Sequence, residues 1–141
     1  KGIRFMLTST VTYRGELRTE ATHVQSGNAI LTDAPTDNHG QGAYFSPTDL
    51  VATALASCII TTIGIKVAEK KIDLTGWRSE IVKHMENNPR RIGRIEVHIY
   101  FSPNIHYSDQ DKSTMERIAR ECPVALSLHP DLKQELHFHY D

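Results

Sequence analysis

The sequence predicts an α+β fold organised around one long apolar helix, and three observations carry the prediction. Ser46 to Lys71 holds no charge between Asp49 and Lys66. Short stretches on both sides of it alternate apolar and polar residues with the period of two expected of strands covered on one face. A second, amphipathic helical pattern lies between the last two of these strands. The order strands, helix, strands, helix, strand has no internal repeat and no low-complexity linker, so the 141 residues read as one domain, 1–141. Within it we expect a β-meander over 1–32, the central helix over 46–71, and strands with a second helix over 77–141.

Ile3, Phe5, Leu7, Val11 and Tyr13 occupy alternate positions, interrupted only by Ser9, and predict a first strand with one buried face. Arg14-Gly15 offers the turn that follows. Leu17, Thr19 and Ala21 alternate with Glu16, Arg18 and Glu20 in a more polar second strand, and Ser26-Gly27-Asn28 is a hairpin signal before a third strand at Ala29 to Thr32. Pro35, Gly40 and Gly42 make Asp33 to Phe45 an irregular loop feeding the helix.

Ser46 can cap the helix, Pro47 suits its first position, and Asp49 puts a negative charge where the helix dipole favours it. About 24 residues would form a rod of roughly 36 Å, mostly buried, which other elements must wrap. Asp73 to Gly76 reads as a turn, and Trp77 to Met85 as a fourth strand with Trp77, Ser79, Ile81 and Lys83 on one face. Asn87-Asn88-Pro89 closes a hairpin. In the fifth strand Ile95, Val97, Ile99 and Phe101 face one way, and this face is expected to pack on the central helix. Ser108 or Asp109 caps the second helix, on which Met115, Ile118, Ala119 and Cys122 share a face, so Cys122 points inward. Pro123 ends or restarts that helix, Val124 to Leu128 is a further apolar turn, and Leu136, Phe138 and Tyr140 form a last strand.

An apolar fraction of 39% supports a core but invites cover from a partner chain. A net charge of -1 and a pI near 6.8 call for neither nucleic acid nor an anionic membrane. Thr53, Ser57, Thr61 and Thr62 interrupt the helix, so it lacks the roughly 18 consecutive apolar residues of a membrane span. The first residues are no secretory segment, and a cytoplasmic location is the expectation. Arg90, Arg91 and Arg94, like Lys66, Lys70 and Lys71, read as solvated charges at turns and at a helix end.

Two cysteines are too few for a disulfide framework and lack metal-type spacing, so any role they have is as thiols. A thiol is a nucleophile only when ionised, and an unaided one is mostly protonated at neutral pH. Cys58 is in mid-helix, where its own helix dipole gives little help and a cation from elsewhere would be needed. Cys122 would sit at a cap, near free backbone donors, if Pro123 begins a new helix. Which thiol ionises first stays open, and each also fits a buried small apolar residue.

The run Ser46-Pro47-Thr48-Asp49-Leu50-Val51-Ala52-Thr53-Ala54-Leu55-Ala56-Ser57-Cys58, with Glu121-Cys122-Pro123-Val124 far downstream, resembles the OsmC and Ohr (organic hydroperoxide resistance) family. The Asp33-Ala34-Pro35 loop and the strand order agree, so the resemblance covers essentially the whole chain. It implies an intertwined homodimer whose strands wrap the long cysteine-bearing helices. It also implies a thiol peroxidase for organic hydroperoxides: Cys58 becomes a sulfenic acid, Cys122 closes a disulfide, and a dithiol reductant restores both. No cofactor is needed, and two meeting sulfurs would put their Cα atoms about 5.5 to 6 Å apart.

Peroxidase members add an arginine and a glutamate. Ten positions before Cys58, where the glutamate falls, this chain has Thr48. Asp49 is adjacent, yet nine residues at about 100° each leave it half a turn from Cys58, as befits a helix-start residue. Arg14 and Arg18, in the first hairpin, are the candidates for the arginine; the loop before the helix offers only His39. These departures keep two alternatives in view, a binding module for a small hydrophobic ligand and a redox sensor. A cleft lined by Tyr44, Phe45, Leu50 and Leu55 would favour bulky organic hydroperoxides over hydrogen peroxide. His137 and His139 share a strand face, a two-ligand start that nothing nearby in the sequence completes; His84, His98 and His106 qualify only if strands gather them, and no metal site is expected.

Overall fold

A computed structural model describes residues 6–72 and 74–141. Ile3 and Phe5 of the first expected strand, and Asp73 of the expected turn, lie outside the described residues. The chain divides into two compact units, Lys1–Leu50 and Val51–Asp141.

The first unit holds an antiparallel meander of β1 (Ser9–Gly15), β2 (Arg18–His23) and β3 (Ala29–Asp33), in that order. β1 runs through Arg14 and Gly15, which were expected to turn; the reversal falls on Glu16 and Leu17, both left-handed with φ of 54° and 64°. Two consecutive left-handed residues match the twist of a tight hairpin, and the Leu17 N–H donates to the Tyr13 hydroxyl at 3.2 Å. Leu17 therefore belongs to the turn and not to the second strand. The register pairs Thr19 with Thr32 and Arg18 with Asp33, at the buried end of β3. The alternation expected to bury one face of β1 is left uncovered within the chain, where Val11 and Tyr13 are each 64% exposed.

The loop after β3 is irregular, with a short 3-10 turn at Thr36–Asn38. It leads into α1 (Pro47–Val67). Ser46 Oγ accepts the Asp49 N–H at 3.0 Å while Asp49 Oδ2 accepts the Ser46 N–H at 2.9 Å, a reciprocal capping box that sets the first helical turn. α1 ends at Val67, short of the expected Lys71, because Ala68–Lys70 tightens into a 3-10 turn that Lys71 closes in the left-handed region at φ 54°.

In the second unit, β4 (Arg78–Glu86) pairs antiparallel with β5 (Arg91–Tyr100), and β6 (Lys133–His139) joins β5 in parallel. α2 (Asp109–Arg120) and α3 (Pro123–Ser127) connect β5 to β6. Ala52, Leu55, Ala56, Ile59, Ile63 and Val67 of α1 fall at helical spacing and form one core with Ile95, Val97 and Ile99, the inward set of β5. Met115 and Ala119 of α2 complete it, and Trp77 closes its end by donating its indole N–H to the Tyr107 hydroxyl at 3.0 Å.

α1 was expected to be mostly buried, yet only one of its faces is. Val51, Ala54, Ser57, Thr61 and Ile65 lie on the other side and are exposed. By length and composition α1 could cross a membrane, with a mean hydropathy of 1.9 in its most apolar window, but its covered face is that of a core helix.

Candidate active site

The second unit brings Cys58 of α1 and Cys122, the residue between α2 and α3, into side-chain contact. Pro123 restarts the chain as a helix, so Cys122 takes the cap position, and its Sγ accepts the Ala125 N–H at 3.4 Å. Cys122 is fully buried whereas Cys58 is partly exposed, and both are free thiols.

Their acidities diverge for identifiable reasons. Burial pushes the Cys58 thiol up, but the backbone N–H of Val124, the Thr62 hydroxyl and the Cys122 thiol all favour its thiolate and together hold it below the ordinary value. Thr62 stands one turn along α1 with its Oγ1 3.7 Å from Cys58 Sγ. For Cys122 burial is the largest influence and raises the thiol; the nearby Cys58 sulfur raises it further, against the Ala125 and Val124 N–H groups. One thiol is thus poised to ionise and the other to stay protonated beside it. Sequence reasoning left that order open; it foresaw free backbone donors beside Cys122 but set neither Thr62 nor the Val124 amide against Cys58. The Thr62 contact was discoverable from its place at i+4 from Cys58; the reach of the Val124 amide to Cys58 was not, because it comes from a different helix.

The other expected site residues lie in the first unit, and they behave differently from one another. Arg14 is 52% exposed and pairs with Glu20 on the neighbouring strand, Nη2 to Oε2 at 2.7 Å. Arg18 is clamped by Asp33 through Nε to Oδ1 at 2.7 Å and Nη2 to Oδ2 at 2.9 Å, while its guanidinium lies 4.8 Å from the Tyr44 ring centroid. Asp33 is 1% exposed. The Arg18 hydrogen bond, helped by the Ala43 N–H, holds its carboxyl below the usual range against the opposing effect of burial. Sequence reasoning treated Asp33 only as the start of a loop, although its place opposite Arg18 follows from the strand register. Asp49 serves the capping box, and Thr48 Oγ1 lies 3.2 Å from Ser46 Oγ.

Tyr44 and Phe45 line an open, largely apolar hollow of about 560 Å³ with Ile30, Leu31 and Asp49. Leu55, expected to share such a cleft, is fully buried in the core because it falls on the inward face of α1.

The α+β scaffold thus sets a partly exposed, acidified helical cysteine against a buried cap cysteine, the arrangement of a two-cysteine protein. The chain belongs to the OsmC-like family: residues 40–137 match the family model described as OsmC-like protein. A protein of Psychrobacter arcticus 273-4 assigned to the osmotic stress induced and detoxification response is 47% identical, with 97% of this chain and 98% of that one covered at a TM-score of 0.92. An organic hydroperoxide resistance protein OsmC of Legionella pneumophila, at 15% identity, 96% and 99% coverage and a TM-score of 0.73, shares the fold. So does an organic hydroperoxide resistance protein of Elizabethkingia anophelis, at 14% identity, 99% and 100% coverage and a TM-score of 0.72. Comparison with curated proteins gives no match.

Proposed function

We propose that this protein is a thiol-dependent peroxidase that reduces organic hydroperoxides with Cys58 and Cys122. The observation that carries the reading is the contact between two thiols of opposed acidity, Cys58 lowered and Cys122 raised. A peroxidatic cysteine must be a thiolate that small oxidants can reach, and Cys58 is both acidified and partly exposed. A resolving cysteine need not ionise until a sulfenic acid has formed beside it.

The Cys58 thiolate attacks the terminal peroxide oxygen, the O–O bond breaks, and with one proton the products are Cys58 sulfenic acid and an alcohol. The Cys122 sulfur then attacks the sulfenic sulfur, the S–O bond breaks, and the Cys122 proton leaves with the hydroxyl as water. An external dithiol returns both cysteines to thiols through exchange. No metal or organic cofactor enters this sequence.

The reading gives the polarising cation to Arg18, whose side chain is held by Asp33, rather than to Arg14 in its exposed pair. Asp33 then supplies the carboxylate that Thr48 cannot. The hollow beside Tyr44 and Phe45 suits a bulky apolar hydroperoxide better than hydrogen peroxide. The working form in this proposal is a homodimer, because α1 and β1 leave apolar side chains that a second copy would cover, and its proposed location is the cytoplasm.

The decisive experiment follows cumene hydroperoxide consumption with a dithiol. Loss of turnover in Cys58→Ser, together with a stable sulfenic acid in Cys122→Ser, is the expected result. Unchanged consumption in Cys58→Ser would leave a ligand-binding module instead.

A further inference from the structure

The face of the β4-β5-β6 sheet turned away from the core carries a second cluster of chemistry, unrelated to the thiols. The register sets His98 of β5 directly opposite His137 of β6, and Glu96 lies two residues before His98 on the same face. One ligating atom each from Glu96, His98 and His137 falls within 4.8 Å of the others. We propose that these three residues form a binding site for a divalent first-row transition ion, of which zinc is the type. Two imidazoles and one carboxylate are a recurrent zinc set that leaves a fourth position open, and nitrogen ligands disfavour magnesium and calcium.

The surrounding groups support this use. His98 Nδ1 lies 3.0 Å from His139 Nε2, so a proton on His98 Nδ1 donated to His139 leaves the His98 Nε2 lone pair free for a metal. That Nε2 is the nitrogen facing Glu96, 3.4 Å from Oε1. The other oxygen, Oε2, is held by His84 Nε2 at 2.6 Å and by Arg94 Nη1 at 3.2 Å, which fixes the carboxylate and leaves Oε1 available. The same Arg94 Nη1 is shared with Glu135 Oε2 at 3.0 Å, so its charge is partly offset. The His98 and His137 rings stack at 4.5 Å and 11°, and His137 is exposed, so its ring has room to turn a nitrogen toward an ion shared with His98. His137 and His139 were expected to be the two ligands if any metal bound. The strand pairing instead gives the second imidazole to His98 and makes His139 its positioning residue.

The test is calorimetric titration of the reduced full chain with Zn2+, with Mg2+ as the counter-probe. We expect one Zn2+ per chain, no Mg2+ binding, and the same Zn2+ affinity when both cysteines are replaced by serine. Affinity should fall in His137→Ala and Glu96→Gln, drop about 10–100-fold in His139→Ala and His84→Ala, and hold in His129→Ala, which lies elsewhere. His137 is exposed, so its variant should keep the circular dichroism of the parent and remain interpretable. Unchanged affinity in His137→Ala, binding that disappears with the cysteines, or no Zn2+ binding at all would each overturn the site.

Discussion

Thr62 Oγ1 lies 3.7 Å from Cys58 Sγ, one turn farther along α1. The hydroxyl is one of three donors that hold the Cys58 thiol below its ordinary value although burial acts against them. Because the thiolate is the reactive form, alkylation of Cys58 should rise with pH and level off below the pH expected of a free thiol. Thr62→Val removes the donor while keeping the branched shape, and its alkylation profile should move to higher pH with the same plateau. A profile that does not move would remove Thr62 from the acidifying set.

Cys122 has two roles in one side chain, capping α3 and standing against Cys58. Serine is a good cap, so Cys122→Ser should keep α3 and the thermal midpoint close to the parent while abolishing disulfide formation. One equivalent of cumene hydroperoxide should then yield a dimedone-reactive Cys58, followed by mass spectrometry. Recovery of repeated turnover with a dithiol in this variant would show that an outside thiol resolves Cys58 directly.

Legibility followed locality. The capping box at Ser46 and Asp49, the inward set Ile95, Val97 and Ile99, and the Met115–Ala119 face were readable because period and cap chemistry are written in neighbouring residues. The Glu16-Leu17 turn was not, since both residues adopt left-handed backbone conformations that their types do not advertise. The parallel placement of β6 beside β5 was equally hidden, and the His98, His137 and Glu96 cluster depends on it. The two cysteines were readable as a pair only through resemblance; the Val124 amide that helps to lower the Cys58 thiol comes from a helix five residues long.

The core makes a simpler prediction. Ile99 is fully buried on β5, in the same core as Ile59 and Ile63. Ile99→Ala should cost about 2–5 kcal/mol of unfolding free energy in denaturant titrations, the range for truncating a buried aliphatic side chain. Arg14→Ala, which removes only an exposed pair with Glu20, should cost about 0–1 kcal/mol.

Asp33 offers a test with a definite sign. Its carboxyl is held below the usual range chiefly by Arg18, so the folded state favours the ionised form. A depressed carboxyl contributes stability that is fully present above the unfolded value of about 3.9 and is lost as pH falls through the folded value. Asp33→Asn should therefore lower the thermal midpoint at pH 7, with the gap to the parent narrowing at acid pH. In the peroxidase assay the same variant should reduce kcat/KM, and Arg18→Lys should reduce it as well, because a lysine cannot reproduce the two-pronged contact. Arg14→Ala should leave turnover near the parent value. The reverse ranking of Arg14 and Arg18 would transfer the proposed cationic role.

The uncovered side of α1 supplies the last prediction. A helix face carrying large apolar side chains is stable in water only when it is covered, and among the described residues the core covers the face that bears Leu55, Ile59 and Ile63. Ile65, on the opposite face, is 69% exposed. If a second copy covers that face, a single charge placed there is buried without a partner in both copies, so desolvation acts against assembly. Ile65→Glu should thus shift the sedimentation profile from dimer toward monomer at micromolar concentration, and the shift should shrink at acid pH, where the new carboxyl is protonated. Because Ile65 lies outside the monomer's own core, the circular dichroism of the separated chains should retain helical signal. A parent protein that sediments as a monomer would overturn the homodimer outright, and an Ile65→Glu variant that stays dimeric would place the interface on another surface, the exposed side of β1 being the next to test with Val11→Glu.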